Sequence, residues 1–194
     1  MTDGMLIDDF MPRYDFVERH EIVVRASPSR AYAAARSVDL ASSTRAKILF
    51  GIRGLPHLIL RRNRLVPELT IDSLQQIGFV TLAERPDAEL VLGVVGKFWR
   101  LDSGILSVPA SEFVAFERPG FMKSVINIYV HESTAGLSLV GTETRVVATD
   151  EAARQKFGRY WRLIGPFSAL IRHWMLGAIK KDVEARGLGE RSPT

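Results

Sequence analysis

The spacing of apolar residues changes several times along this 194-residue chain. Glu21-Ile-Val-Val-Arg-Ala26 is rich in β-branched residues and stops at Ser27-Pro28, where serine can cap a helix and proline suits its first position. A strand over Glu21–Ala26 and an alanine-rich helix from Ser29 to about Val38 are therefore predicted. Asp39, Ser42 and Ser43 offer a fresh cap for a second short helix ending near Gly51 or Gly54. Leu55 to Leu69 is broken by Pro56 and Pro67 and carries Arg61-Arg-Asn-Arg64, so it reads as irregular chain. A brief helix is expected over Ile71–Ile77, stopped by Gly78.

From Phe79 the period becomes two. Phe79–Glu84 and Glu89–Trp99 flank Arg85-Pro86-Asp87-Ala88, a turn with proline at its favoured second position. Glu112–Glu117 and Met122–Ser133 flank Arg118-Pro119-Gly120-Phe121, where glycine supplies the positive φ of a type II turn. Gly136 closes a third connection into Leu137–Thr149, so consecutive strands are expected to pair antiparallel. If Ser133 pairs with Leu137, Asn127 lies opposite Glu143, Val125 opposite Arg145, Ile126 opposite Thr144 and Ile128 opposite Thr142. One face of this pair is then polar and the other mostly apolar. Beyond it, Ala153, Phe157, Tyr160, Trp161 and Ile164 recur at helical steps. Gly165-Pro166 is expected to kink this helix, which resumes through Phe167, Leu170, Ile171, Trp174 and Ala178 until Gly187.

Composition narrows the chemistry. Hydrophobic residues make up 46% and charged residues 25%, ordinary globular usage. The absence of cysteine removes disulfides, thiolate metal sites and cysteine nucleophiles. Acids at Asp3, Asp8 and Asp9 oppose a signal peptide, and no apolar run is long enough to span a bilayer, so a cytoplasmic location is expected. Eight Lys or Arg stand against three acids between Glu151 and Arg186 (Arg172 among them), so the net charge of +4 lies on the last helix. That surplus reads as a solvated face; alternatively, Arg154, Arg159 and Arg162 make weak contact with an anionic membrane surface.

This order of elements is similar to the helix-grip fold of the START and birch-pollen-allergen-like (SRPBCC) superfamily. Pro12-Arg-Tyr-Asp15 ahead of His20-Glu-Ile-Val-Val24, Val91 to Trp99, Thr142-Glu-Thr-Arg-Val146 and Phe157-Gly-Arg-Tyr-Trp161 resemble segments of bacterial members grouped as polyketide cyclase-like. The resemblance implies an α+β domain over residues 21–187, after an N-terminal extension (1–20) and before a frayed tail (188–194). Six to seven curved antiparallel strands would wrap around the C-terminal helix, with two short helices after the first strand. It also implies a cavity between sheet and helix, without fixing a reaction.

The residues expected to line that cavity are Trp99, Phe113, Ile126, Ile128, Thr142, Thr144, Phe157, Trp161, Phe167 and Trp174; the aromatic members read equally as plain core. Glu143, Arg145 and Asn127 form the one polar group that could act as base, anion stabiliser and partner, provided their face turns inward. Otherwise they are a solvent-facing cross-strand set worth at most about 1 kcal/mol. His20, His57, His131 and His173 are scattered without metal-ligand spacing, so no metal and no cofactor is expected. Gly93 and Gly96 lack the companions of a phosphate loop and read as sites of close backbone packing. Nothing resembles a nucleic-acid strand surface. The function expected is binding or carriage of an apolar small molecule. The alternative is a cofactor-free cyclase, dehydratase or isomerase using general acid–base catalysis.

Overall fold

The computed structural model describes residues 4–37, 70–100 and 104–189. The expected second helix after Asp39 and the irregular basic stretch at Leu55–Leu69 lie outside the described residues. Strands β1 (Phe16–Val24), β2 (Val80–Arg85), β3 (Glu89–Gly96), β4 (Met122–Thr134) and β5 (Leu137–Ala148) form one antiparallel sheet in the order β1-β5-β4-β3-β2. Among the described residues five helices accompany it: α1 (Ile7–Phe10), α2 (Pro28–Ser37), α3 (Ile71–Gln76), α4 (Ala110–Phe113) and α5 (Glu151–Gly189).

The expected pairing of β4 with β5 holds at all four positions named above. Only its turn differs: a bulge between Glu132 and Thr134 sets Thr134, not Ser133, opposite Leu137. Gly136 turns the chain there with φ 79°. Among the described residues the sheet has five strands rather than six or seven. The segment expected as a strand at Glu112–Glu117 instead ends helix α4 and turns into Pro119-Gly120. Phe113 and Phe116, three apart, both pack on the sheet, a spacing that one helical turn satisfies and a strand does not. Gly120 adopts φ 85°, as its turn requires.

Strand β1 begins at Phe16, inside the stretch expected as an extension. It is an edge strand, with Phe16, Glu18, His20 and Ile22 half-buried and Val17, Arg19, Glu21 and Val23 exposed. Its polar middle, Glu18-Arg-His-Glu21, hides the strand signal that Ile22-Val-Val24 gives clearly.

Both faces of the sheet are covered. The inner face meets α5, a rod of roughly 58 Å by its helical rise. At one end Val24, Leu90, Leu92, Val130 and Val140 join Ala31 and Ala35 of α2 and Leu176, Ile179 and Val183 of α5. At the other end Met122 and Val146 pack on Ala153 and Phe157. The outer face buries Val91, Val95 and Val125 beneath Ile7, Met11, Val108, Phe113 and Phe121. Gly93 serves that layer: a Cβ there would lie 2.8 Å from the Phe113 ring and from Leu82, so close packing is its role.

Helix α5 continues through Pro166 to Gly189, two residues beyond the expected stop at Gly187. Proline there removes one donor, to the carbonyl of Arg162, a residue exposed to water that can replace it. No helix among the described residues is long and apolar enough to cross a membrane.

Candidate functional site

Glu143, Arg145 and Asn127 come together, but on the outer face, away from α5. Arg145 donates from Nε to Glu143 Oε1 at 2.6 Å and from Nη1 to the carbonyl of Met11 at 2.9 Å, and pairs with Asp8 Oδ1 at 2.7 Å. Asn127 donates to Glu89 Oε1 at 2.7 Å and accepts the Glu143 amide at 2.7 Å. Glu89 also accepts the backbone N–H groups of Leu6 and Ile7, at 2.6 and 3.2 Å, which opens helix α1 against a buried carboxylate. Burial works against the Arg145 charge, yet its bonds to Glu143 and Asp8 outweigh that and hold its pKa above the ordinary arginine value. These side chains are neither solvated nor turned toward the helix. Glu89, Asn127, Glu143 and Arg145 are buried and satisfied, and they bolt the N-terminal segment to the sheet.

The inner face carries a different arrangement. Two cross-strand rows cross its middle, from β1 through β5 and β4 to β3: His20–Thr142–Ile128–Leu90 and Glu18–Thr144–Ile126–Leu92. Each row is polar at the β1 end and apolar at the β3 end. Met122 and Val130 on β4 face the same way as Ile126 and Ile128 and are fully covered, at 0% and 2% exposure. Ile126 and Ile128, between them on the same central strand, are only half-buried. Helix and sheet therefore touch at both ends and leave a gap over Ile126 and Ile128 that water reaches.

A charged strut crosses this gap. Arg172 of α5 donates from Nη1 to Glu18 Oε2 at 3.0 Å and from Nη2 to Thr144 Oγ1 at 2.7 Å, and also bonds Ser168 Oγ on its own helix. Glu18 Oε1 in turn lies 2.9 Å from His20 Nε2. Arg172 is 8% exposed, so it does not belong to the solvated basic face, where Arg154, Arg159 and Arg162 are exposed as expected.

The expected lining residues divide between four places. Ile126 and Ile128 line the gap, and Thr142 and Thr144 lie beside them on β5, buried at 1% and 4% exposure. Trp99, Phe157 and Trp161 gather at the first turns of α5, with Trp161 stacked on Phe157 at 5.5 Å and Phe16 edge-on to it at 4.9 Å. Phe113 is fully buried on the outer face, so it lies on the far side of the sheet from the gap. Phe167 and Trp174, seven residues apart on α5, are half-buried, and His173 is exposed. Glu18, His20, Ser168 and Arg172 were not among the expected site residues. Alternation of Glu18 and His20 with Phe16 and Ile22 was the available signal, since it places their side chains on one face.

No protein-family model matches the chain, and no curated protein matches its sequence. Solved structures of similar outline include a norcoclaurine synthase point mutant from Thalictrum flavum in complex with a transition-state analogue. It is 12% identical, over 89% of this chain and 96% of its own, with a TM-score of 0.40. The Zhui aromatase/cyclase from Streptomyces sp. R1128 is 10% identical, over 88% and 94%, with a TM-score of 0.30. A hypothetical protein from Helicobacter pylori is 11% identical, over 94% and 98%, with a TM-score of 0.38. By its own element order, antiparallel sheet and long closing helix, the chain has a helix-grip architecture.

Proposed function

We propose that this protein binds or carries an apolar small molecule in the gap between the inner sheet face and α5. The observation that supports this is the incomplete burial of Ile126 and Ile128, inward-facing residues of a central strand whose neighbours on the same face are sealed. A ligand lying on them would remove apolar surface from water, worth about 25 cal/mol for each Å² covered. The alternative general acid–base reading needed Glu143 and Arg145 to face inward, and their placement behind the sheet lends it no support.

The test has two parts. Native mass spectrometry of freshly purified protein should show an added small-molecule mass, or the protein should take up an apolar fluorescent probe. Ile126→Trp, which fills the gap, should weaken probe uptake at least tenfold while the melting temperature holds. Uptake by the wild type that Ile126→Trp leaves unchanged would place the probe elsewhere and defeat the proposal.

A further inference from the structure

We infer that Glu18, His20 and Arg172 form the polar end of that site, and that it receives a neutral hydroxyl group, phenolic or alcoholic, borne on an apolar body. The inference rests on the reading of the gap given above. A carboxylate accepts and does not donate, so the 2.9 Å contact between Glu18 Oε1 and His20 Nε2 places the ring proton on Nε2. In the neutral ring Nδ1 then carries the lone pair, and among the described residues nothing donates to it. The His20 side chain remains 27% exposed beside Thr142, so a ligand atom can approach it.

Charge selects the kind of group. Among the described residues Arg172 and Glu18 offset one another at 3.0 Å, so an anion gains no net attraction from this pair and would lose its hydration beside Glu18. A cation would meet Arg172. A hydroxyl can donate to Nδ1 without bringing charge into the gap. Size follows from the sheet: strands lie roughly 4.8 Å apart, so the step from His20 on β1 across β5 to Ile128 on β4 is roughly 10 Å. That is the span of a two-ring aromatic alcohol with its hydroxyl at His20 and its far ring over Ile126 and Ile128.

The probes are 2-naphthol and 2-methoxynaphthalene, which share the two rings and differ in whether the oxygen can donate. Wild-type protein should bind 2-naphthol about tenfold more tightly, the worth of one well-placed hydrogen bond. His20→Phe should bring the two affinities together. On the unaltered protein labelled with 15N-histidine, the Nδ1 resonance of His20 should move with 2-naphthol and stay in place with the ether, a readout independent of how the variant folds. Equal affinities in the wild type, or a preference for 2-naphthol that survives in His20→Phe, would overturn the inference. If both probes bind equally and Ile126→Trp blocks both, the gap stands and the hydroxyl site alone falls. If neither probe binds, the reading of the gap fails and this inference fails with it.

Discussion

Replacing Arg145 by methionine separates a structural from a chemical role for the polar group behind the sheet. The substitution keeps a long side chain and deletes the guanidinium that touches Glu143, Asp8 and the Met11 carbonyl. The Asp8 contact is half in water, with that side chain 51% exposed, and is worth at most about 1 kcal/mol. Glu143 is another matter: its side chain is 5% exposed, and stranding a buried charge costs about 3–5 kcal/mol. Arg19, whose Nη1 stays 3.9 Å from Glu143 Oε2, softens that loss. The expected cost of Arg145→Met is therefore about 3 kcal/mol, or a fall of about 6–12 °C in melting temperature for a chain of this length. Urea unfolding measures it, and adding Glu143→Gln, which removes the stranded charge, should recover at least about 1 kcal/mol. An Arg145→Met protein within about 0.5 kcal/mol of wild type would refute the assignment of this network to holding the N-terminal segment.

Other expectations follow from the same geometry. Phe157→Ala should cost about 3–5 kcal/mol, because the ring is 2% exposed and touches Phe16, Phe98 and Trp161; a loss under about 1 kcal/mol would mean the first turns of α5 do not pack as described. Gly120→Val should lower the melting temperature measurably, since φ of 85° resists a β-branched residue. The Tyr129 hydroxyl, donating to Glu21 at 2.6 Å, is the largest influence holding that carboxylate below its usual pKa. Its stabilising effect is therefore complete above the unfolded glutamate value of about 4.3 and fades as the pH falls through the lower folded value. The stability gap between wild type and Tyr129→Phe should accordingly narrow in acid, and a constant gap from pH 6 to pH 3 would contradict this. If the exposed Arg154, Arg159 and Arg162 meet anionic membranes, liposomes with anionic lipid should retain the protein at low salt and release it at about 0.5 M, and neutral liposomes should not retain it.

Legibility in the sequence followed the range of the forces involved. The register of β4 on β5 was readable because one glycine-marked turn and a period of two fix it within a few residues, whatever lies elsewhere. The last helix was readable from its own spacing. Helix α1 was not: four residues, Ile7-Asp-Asp-Phe10, carry no periodic signal, and they are held by Glu89, far along the chain. For the same reason the face bearing Glu143 and Arg145 looked fit for water or for a site, because the cover that buries it comes from a segment without pattern. Arg172 shares its helix with seven other basic residues between Glu151 and Arg186, and only the opposing Glu18 and Thr144 distinguish it. The polar end of the gap thus became visible only when both ends of the chain were placed side by side.

That adjacency also sets an order in time. Glu18 pairs with Thr144 and His20 with Thr142, so β1 leaves the ribosome first and has no partner until nearly the whole sheet has been made. The β3-β4-β5 meander can close as it emerges, because each strand follows its neighbour in sequence. Through that interval β1 is an unpaired strand, and a fully apolar one would invite pairing with other nascent chains. Its Glu18-Arg-His-Glu21 middle discourages that, as charges do in segments left exposed during synthesis. The residues that make the inner edge of the sheet polar in the finished protein thereby also protect the chain while it waits to be completed.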